Sequence, residues 1–110
     1  MAVRQIIGGN FQDALGNPLN AGYITFQLST DGSASSPNLQ VSAGLIVRAT
    51  LDSTGSISGT VNLWPNDQLT PTTVYLVKVY TIAGERCWES ENVIPSGVGS
   101  FDIGSWTPIY

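Results

Sequence analysis

The chain has 110 residues, of which 42% are hydrophobic and only 11% charged, with no histidine and a net charge of −4. That length suits one domain with a single layered core, and the scarcity of charge excludes a coiled coil, a helical bundle and a charged disordered tail. The lack of histidine removes the Ser-His-Asp triad, the histidine proton shuttle and His-ligated zinc.

Apolar residues alternate with period two and nowhere sustain helical spacing. A first strand is predicted over residues 3–12, bent at Gly8-Gly9. Gly16, Asn17 and Pro18 follow in close order and make residues 13–18 a turn. Residues 21–29 form the cleanest half-buried strand, with Ile24, Phe26 and Leu28 facing in and Tyr23, Thr25 and Gln27 facing out. The small polar residues 30–38 read as the longest loop.

Residues 39–51 read as a strand broken at Ser42-Ala43-Gly44, its second part turning Leu45, Val47, Ala49 and Leu51 to one face. Asp52-Ser53-Thr54-Gly55 closes a hairpin into a strand over residues 56–63. Pro65 and Pro71 bracket a connection, since neither can join a central ladder. Residues 72–82 are the strongest strand, with Tyr75, Val77 and Val79 inward and Lys78 marking the wetter face. Ala83-Gly84-Glu85 turns the chain into a strand over residues 86–93, and a short last strand covers 100–103. The tail, residues 104–110, carries Trp106 and Tyr110 with no evident partner inside the chain, which makes it a candidate exchange arm between subunits. Seven short strands with turns about every ten residues predict an all-β domain, an antiparallel β-sandwich, with a Greek-key barrel as the alternative.

Little in this chain suggests chemistry. Arg4, Arg48, Lys78 and Arg86 are scattered among eight carboxylates, which disfavours nucleic acid and anionic lipid as partners. No apolar run approaches a membrane span, and neither a signal-peptide pattern nor a glycosylation sequon occurs, so synthesis and folding in the cytoplasm are expected. Cys87 is the only cysteine, so no internal disulfide forms; without a histidine base it reads as an inert, buried packing residue. Glu89 and Glu91 share one strand face and have the spacing of a glycosidase pair, but charges that protect a solvated strand explain them better. Asp52 to Gly55 resembles the aspartic-protease loop only superficially, and a hairpin turn accounts for it. Asp31 and the Asn66-Asp67 pair could offer oxygens to calcium, yet they lack the spacing of an EF-hand loop and read as turn caps. No catalytic residue, cofactor or metal is therefore expected. The candidate interaction residues are Trp64, Trp88, Trp106 and Tyr110. They suit core or inter-subunit packing, or alternatively a platform for sugar rings.

Two stretches carry a resemblance. Residues 9–26, with Asp13, Gly16, Pro18 and Leu19 followed by Ala21-Gly22, are similar to the opening of prealbumin-like and carboxypeptidase-regulatory-like sandwiches. Gly16 and Pro18 make the tight turn there, and Gly22 admits close backbone approach. Leu63-Trp64-Pro65-Asn66-Asp67, continuing through Pro71 to Tyr75, Val77, Val79 and Gly84, resembles small Ig-like or prealbumin-like modules encoded among bacteriophage and prophage structural genes. Ile94-Pro95-Ser96-Gly97 before a final Asp-containing strand fits the same pattern. The resemblance implies a non-catalytic virion component (tail, fibre or capsid-associated) made in the host cytoplasm. Its partners would be itself, as a homo-oligomer, and other virion proteins. The alternative is a carbohydrate- or receptor-binding module that presents exposed tryptophans to a glycan or host receptor.

Overall fold

Strands with one apolar face stay folded only when a second layer covers that face. In the computed structural model, which describes residues 3–35, 38–44, 46–71, 73–104 and 106, two sheets meet that need. The strands are β1 (Arg4–Ile7), β2 (Tyr23–Leu28), β3 (Gly32–Ser35), β4 (Asn38–Val41) and β5 (Val47–Thr50). β6 (Asn62–Leu63), a single 3-10 turn (Asn66–Gln68), β7 (Tyr75–Tyr80), β8 (Arg86–Asn92) and β9 (Phe101–Asp102) complete them. One sheet has the order β5-β2-β7-β8, the other β6-β1-β9, and β3 and β4 form a separate hairpin. The protein is an all-β sandwich, with two separate sheets in place of a closed barrel.

Between the layers, Ile24, Phe26, Val77 and Val79 from the larger sheet meet Ile6, Leu63 and Ile103 from the smaller side, all buried. Each such side chain contributes roughly 1.5–3 kcal/mol by leaving water. Tyr75, Val77 and Val79 face inward as the alternation requires, and the intervening Leu76, Lys78 and Tyr80 are half-buried on the outer face. Gly22 sits where any side chain would strike the Tyr80 carbonyl, so the close approach expected at this glycine is present. The hairpin at Asp52 also forms: Asp52 and Ser56 are bonded through the backbone, and Leu51 bridges Ile57.

Several expectations are corrected. The described residues hold nine strands, two more than the alternation suggested. Within the loop expected at 30–38, Gly32–Ser35 form β3 and Asn38 opens β4, paired by main-chain bonds that need no apolar alternation; Ser33 and Thr70 also exchange both of theirs. The strand expected over 56–63 shrinks to β6, because Gly59 takes a left-handed φ of 81° that a ladder does not accept. β9 pairs with β1 in parallel, Ile6 opposite Phe101, so the sandwich is not purely antiparallel. Among the described residues no helix is long and apolar enough to cross a membrane. Leu45 lies outside the described residues.

Candidate functional site

The tryptophans are not brought together; each marks a different place. Trp88 enters from the edge strand β8, and its register there is set by an irregularity. Val79 pairs with Trp88 but Tyr80 pairs with Arg86, so Cys87 is the extra, bulged residue. The indole turns toward the sandwich interior and meets the buried Phe11 ring, with centroids 5.0 Å apart and planes tilted by 59°. Phe11 is fixed by backbone bonds on both sides, donating to Gly55 O at 2.9 Å and accepting from Leu19 N at 3.0 Å.

These two rings form part of the wall of a groove of about 300 Å³, completed by Ala14, Leu19, Thr81 and Cys87. The turn over residues 13–18 forms one bank. It is pinned by the Asp13 carboxylate, which accepts from Leu15 N at 2.9 Å and Asn17 N at 3.0 Å. The Asn17 amide, first among these donors, holds the Asp13 carboxyl below its usual range. The turn after β7 forms the other bank. Each bank carries an exposed aliphatic side chain, Leu15 at 86% and Ile82 at 74% exposure. Cys87 is exposed, which corrects the expectation of a buried packing residue. Its Sγ donates to Val79 O at 3.4 Å, and partial burial pushes the thiol's pKa up, away from a reactive thiolate.

Trp64 is half-buried in a second groove of about 270 Å³, with Phe26, Leu63 and Tyr75 as apolar neighbours and Ser42 and Asn62 as polar ones. The Tyr75 hydroxyl donates to Trp64 O at 2.7 Å, and burial pushes its pKa up to about 12.

Trp106 has partners in its own domain, contrary to the sequence reading. Its ring lies 6.0 Å from that of Phe101 and packs against the core, and its backbone amide donates to Ile103 O at 3.1 Å. Arg4 covers the same Phe101 ring at 5.2 Å. Tyr110 lies outside the described residues.

The remaining polar candidates serve the fold. Asp31 accepts from Ala43 N at 2.7 Å, and Asp67 takes Ser96 N and Oγ at 3.0 and 2.7 Å. Asn66 is buried and bridges Thr73 and Ile94. These contacts span many residues, so the groups act as clamps between loops more than as local turn caps. Among the described residues no cluster of three or more His, Cys, Asp or Glu side chains is placed to hold a metal ion. Glu89 and Glu91 lie opposite Lys78 and Leu76 on the larger sheet, Glu89 is ion-paired with Arg86 at 2.9 Å, and neither lines either groove.

The fold also gathers what the sequence scattered. Arg48, Lys78 and Arg86 come from three strands to the outer face of one sheet, interleaved with Glu89 and Glu91. There Arg48 stacks 3.8 Å over Tyr23, which stacks on Tyr80 at 4.6 Å. Sequence reasoning missed Phe11, Leu15 and Ile82 as a unit. The available signal was an aliphatic residue in each of two turns whose chemistry calls for polar ones. No family model matches the chain, and no curated protein matches it.

Proposed function

We propose that this chain is a non-catalytic assembly module that works by association with other protein surfaces, in the setting of a phage-type virion. The observation that carries the reading is the Phe11–Trp88 groove with exposed Leu15 and Ile82 on its banks. An apolar, aromatic-walled depression with polar groups at its margin is the usual form of a protein-binding hot spot. The virion setting is supported by the resemblance of residues 63–84 to phage structural modules. Co-expression with the genes that flank its own, followed by gradient purification of particles, tests this. The chain is expected in the particles in fixed stoichiometry. A chain that stays out of them overturns the virion setting.

A second reading, a glycan- or receptor-binding module, is favoured by the half-exposed Trp64 beside Ser42 and Asn62. Glycan-array binding that Trp64→Ala abolishes would support it over assembly.

A further inference from the structure

We infer that the open edge of β8 takes up an extended segment of a different protein whose side chains alternate basic and apolar; this rests on the assembly reading and names its partner. The ladder shows which backbone groups are available. Gly22 O accepts from Leu51 N on the β5 side of β2, and Ser29 N donates to Val74 O on the β7 side. Alternation along each strand then aims the bonding groups of Tyr75, Val77 and Val79 at β8, where Asn92, Ser90 and Trp88 lie opposite. The N–H and C=O of Glu89 and Glu91 therefore point away from the sheet, and among the described residues nothing bonds them. The bulge at Cys87 comes before this stretch, so Trp88 to Asn92 keep regular pairing. A run of outward main-chain donors and acceptors is what an added strand requires.

The side chains beside this edge select what is added. Its outer face carries the Glu89 and Glu91 carboxylates. Glu89 is held by Arg86 at 2.9 Å, with Lys78 opposite it one strand further in. Glu91 is exposed, and among the described residues no cation lies within ion-pair distance of it. The same is true of Asp13 and Glu85, which stand on the two banks of the groove at the start of β8. Carboxylates thus outnumber cations along the edge, which favours lysine or arginine on an incoming strand and disfavours acids. On the inner face, a side chain placed beside Trp88 enters the Phe11–Trp88 groove, between exposed Leu15 and Ile82. The period of two in a strand meets both demands at once, one face basic and the other apolar.

A second copy does not fit this description. β8 laid on β8 opposes carboxylate to carboxylate. β5, the other edge of the same sheet, carries one cation, Arg48, which is stacked on Tyr23, and Ser58 N already bonds Thr50 O beside it. β3, β4, β6 and β9 carry no cation. The charges that keep copies apart at β8 are therefore the ones that admit a foreign basic strand.

Amide spectra of the isotope-labelled full chain test this, with the heptapeptide Lys-Ile-Lys-Phe-Lys-Val-Lys, its counterpart with Glu at every Lys, and a version with Ala for the central Phe. Shifts are expected at Trp88 to Asn92. The lysine peptide should bind about tenfold or more tighter than the glutamate one, the central Ala should cost about tenfold, and added salt should weaken binding. Glu91→Gln removes the charge alone, while Glu91→Pro also removes the outward N–H, which the ladder to β7 does not use. Urea midpoints should show the fold kept, and Glu91→Pro should bind about threefold or more weaker than Glu91→Gln. Equal binding of the two charged peptides, equal binding by the two variants, or shifts away from β8 would each overturn the inference. Self-association of the wild type that Glu91→Pro abolishes puts a second copy on this edge and overturns the foreign strand. The assembly reading fails separately: a chain built into particles that ignores the peptides loses only the added strand, and one that binds them yet stays out of particles loses only the virion setting.

Discussion

Asn66 shows how much a single amide holds. Its Nδ2 donates to Thr73 O at 2.8 Å, and its Oδ1 accepts from Ile94 N at 2.8 Å, all within the core boundary. Asn66→Ala leaves a buried carbonyl and a buried N–H unpaired, so a loss of about 2–5 kcal/mol in urea unfolding is expected. Asn66→Asp keeps the acceptor for Ile94 but loses the donor for Thr73, and should also destabilise. Asp52 gives a pH signature. The Thr54 hydroxyl, followed by the Thr54 and Ser56 amides, lowers its pKa below the ordinary 3.8. A depressed folded value contributes stability that is present above pH 3.8 and is lost as pH falls through the folded pKa. Urea midpoints should therefore drop below about pH 4, and Asp52→Asn should flatten that limb. Tyr75 works in the opposite direction. Its raised value of about 12 adds stability below pH 10 that disappears as pH rises through 12, so its ultraviolet ionisation step should coincide with alkaline unfolding.

At the scale of elements, β8 is an edge strand of seven residues, the longest of the described strands, and it is defended. The Cys87 bulge bends its upper part, and Glu89 and Glu91 line its outer face, so two copies laid edge to edge would set carboxylates against each other. Glu89→Val with Glu91→Val should raise thioflavin-positive aggregation while changing monomer stability little. Elements of this kind were legible in the sequence wherever one face had to be dry. β2 and β7 follow their apolar alternation residue by residue, and the turns at Asp13 and Asp52 follow from side chains that cap their own backbone. β4 falls within the strand expected from residue 39, but its partner β3 was not legible, because the small residues Gly32–Ser35 pair through main-chain bonds that leave no periodic trace. The groove was hidden for a related reason. Phe11 reads as a continuation of β1, and only the bonds to Gly55 and Leu19 carry it across to Trp88.

For the whole molecule, Trp106 matters as a brace. It covers Phe101 beside Arg4 and so secures β9 to the sandwich. Trp106→Ala should cost about 2 kcal/mol, less than the roughly 3–5 of a fully buried tryptophan. It should leave the concentration dependence of sedimentation unchanged as long as the fold persists. Loss of self-association without loss of stability would instead place this indole between subunits.

The parallel pairing of β1 with β9 also orders events during synthesis. β1 is the middle strand of its sheet, yet Arg4 must wait for Gly99, 95 residues later, before its flank closes. Until Phe101 has been made and has left the ribosome, Ile6 has no neighbour on that side and the sandwich stands open. Nascent chains stalled with Phe101 inside the exit tunnel should be cut readily by protease, and those stalled with it well clear should resist. Maturation would then be a late, abrupt step, timed by translation itself.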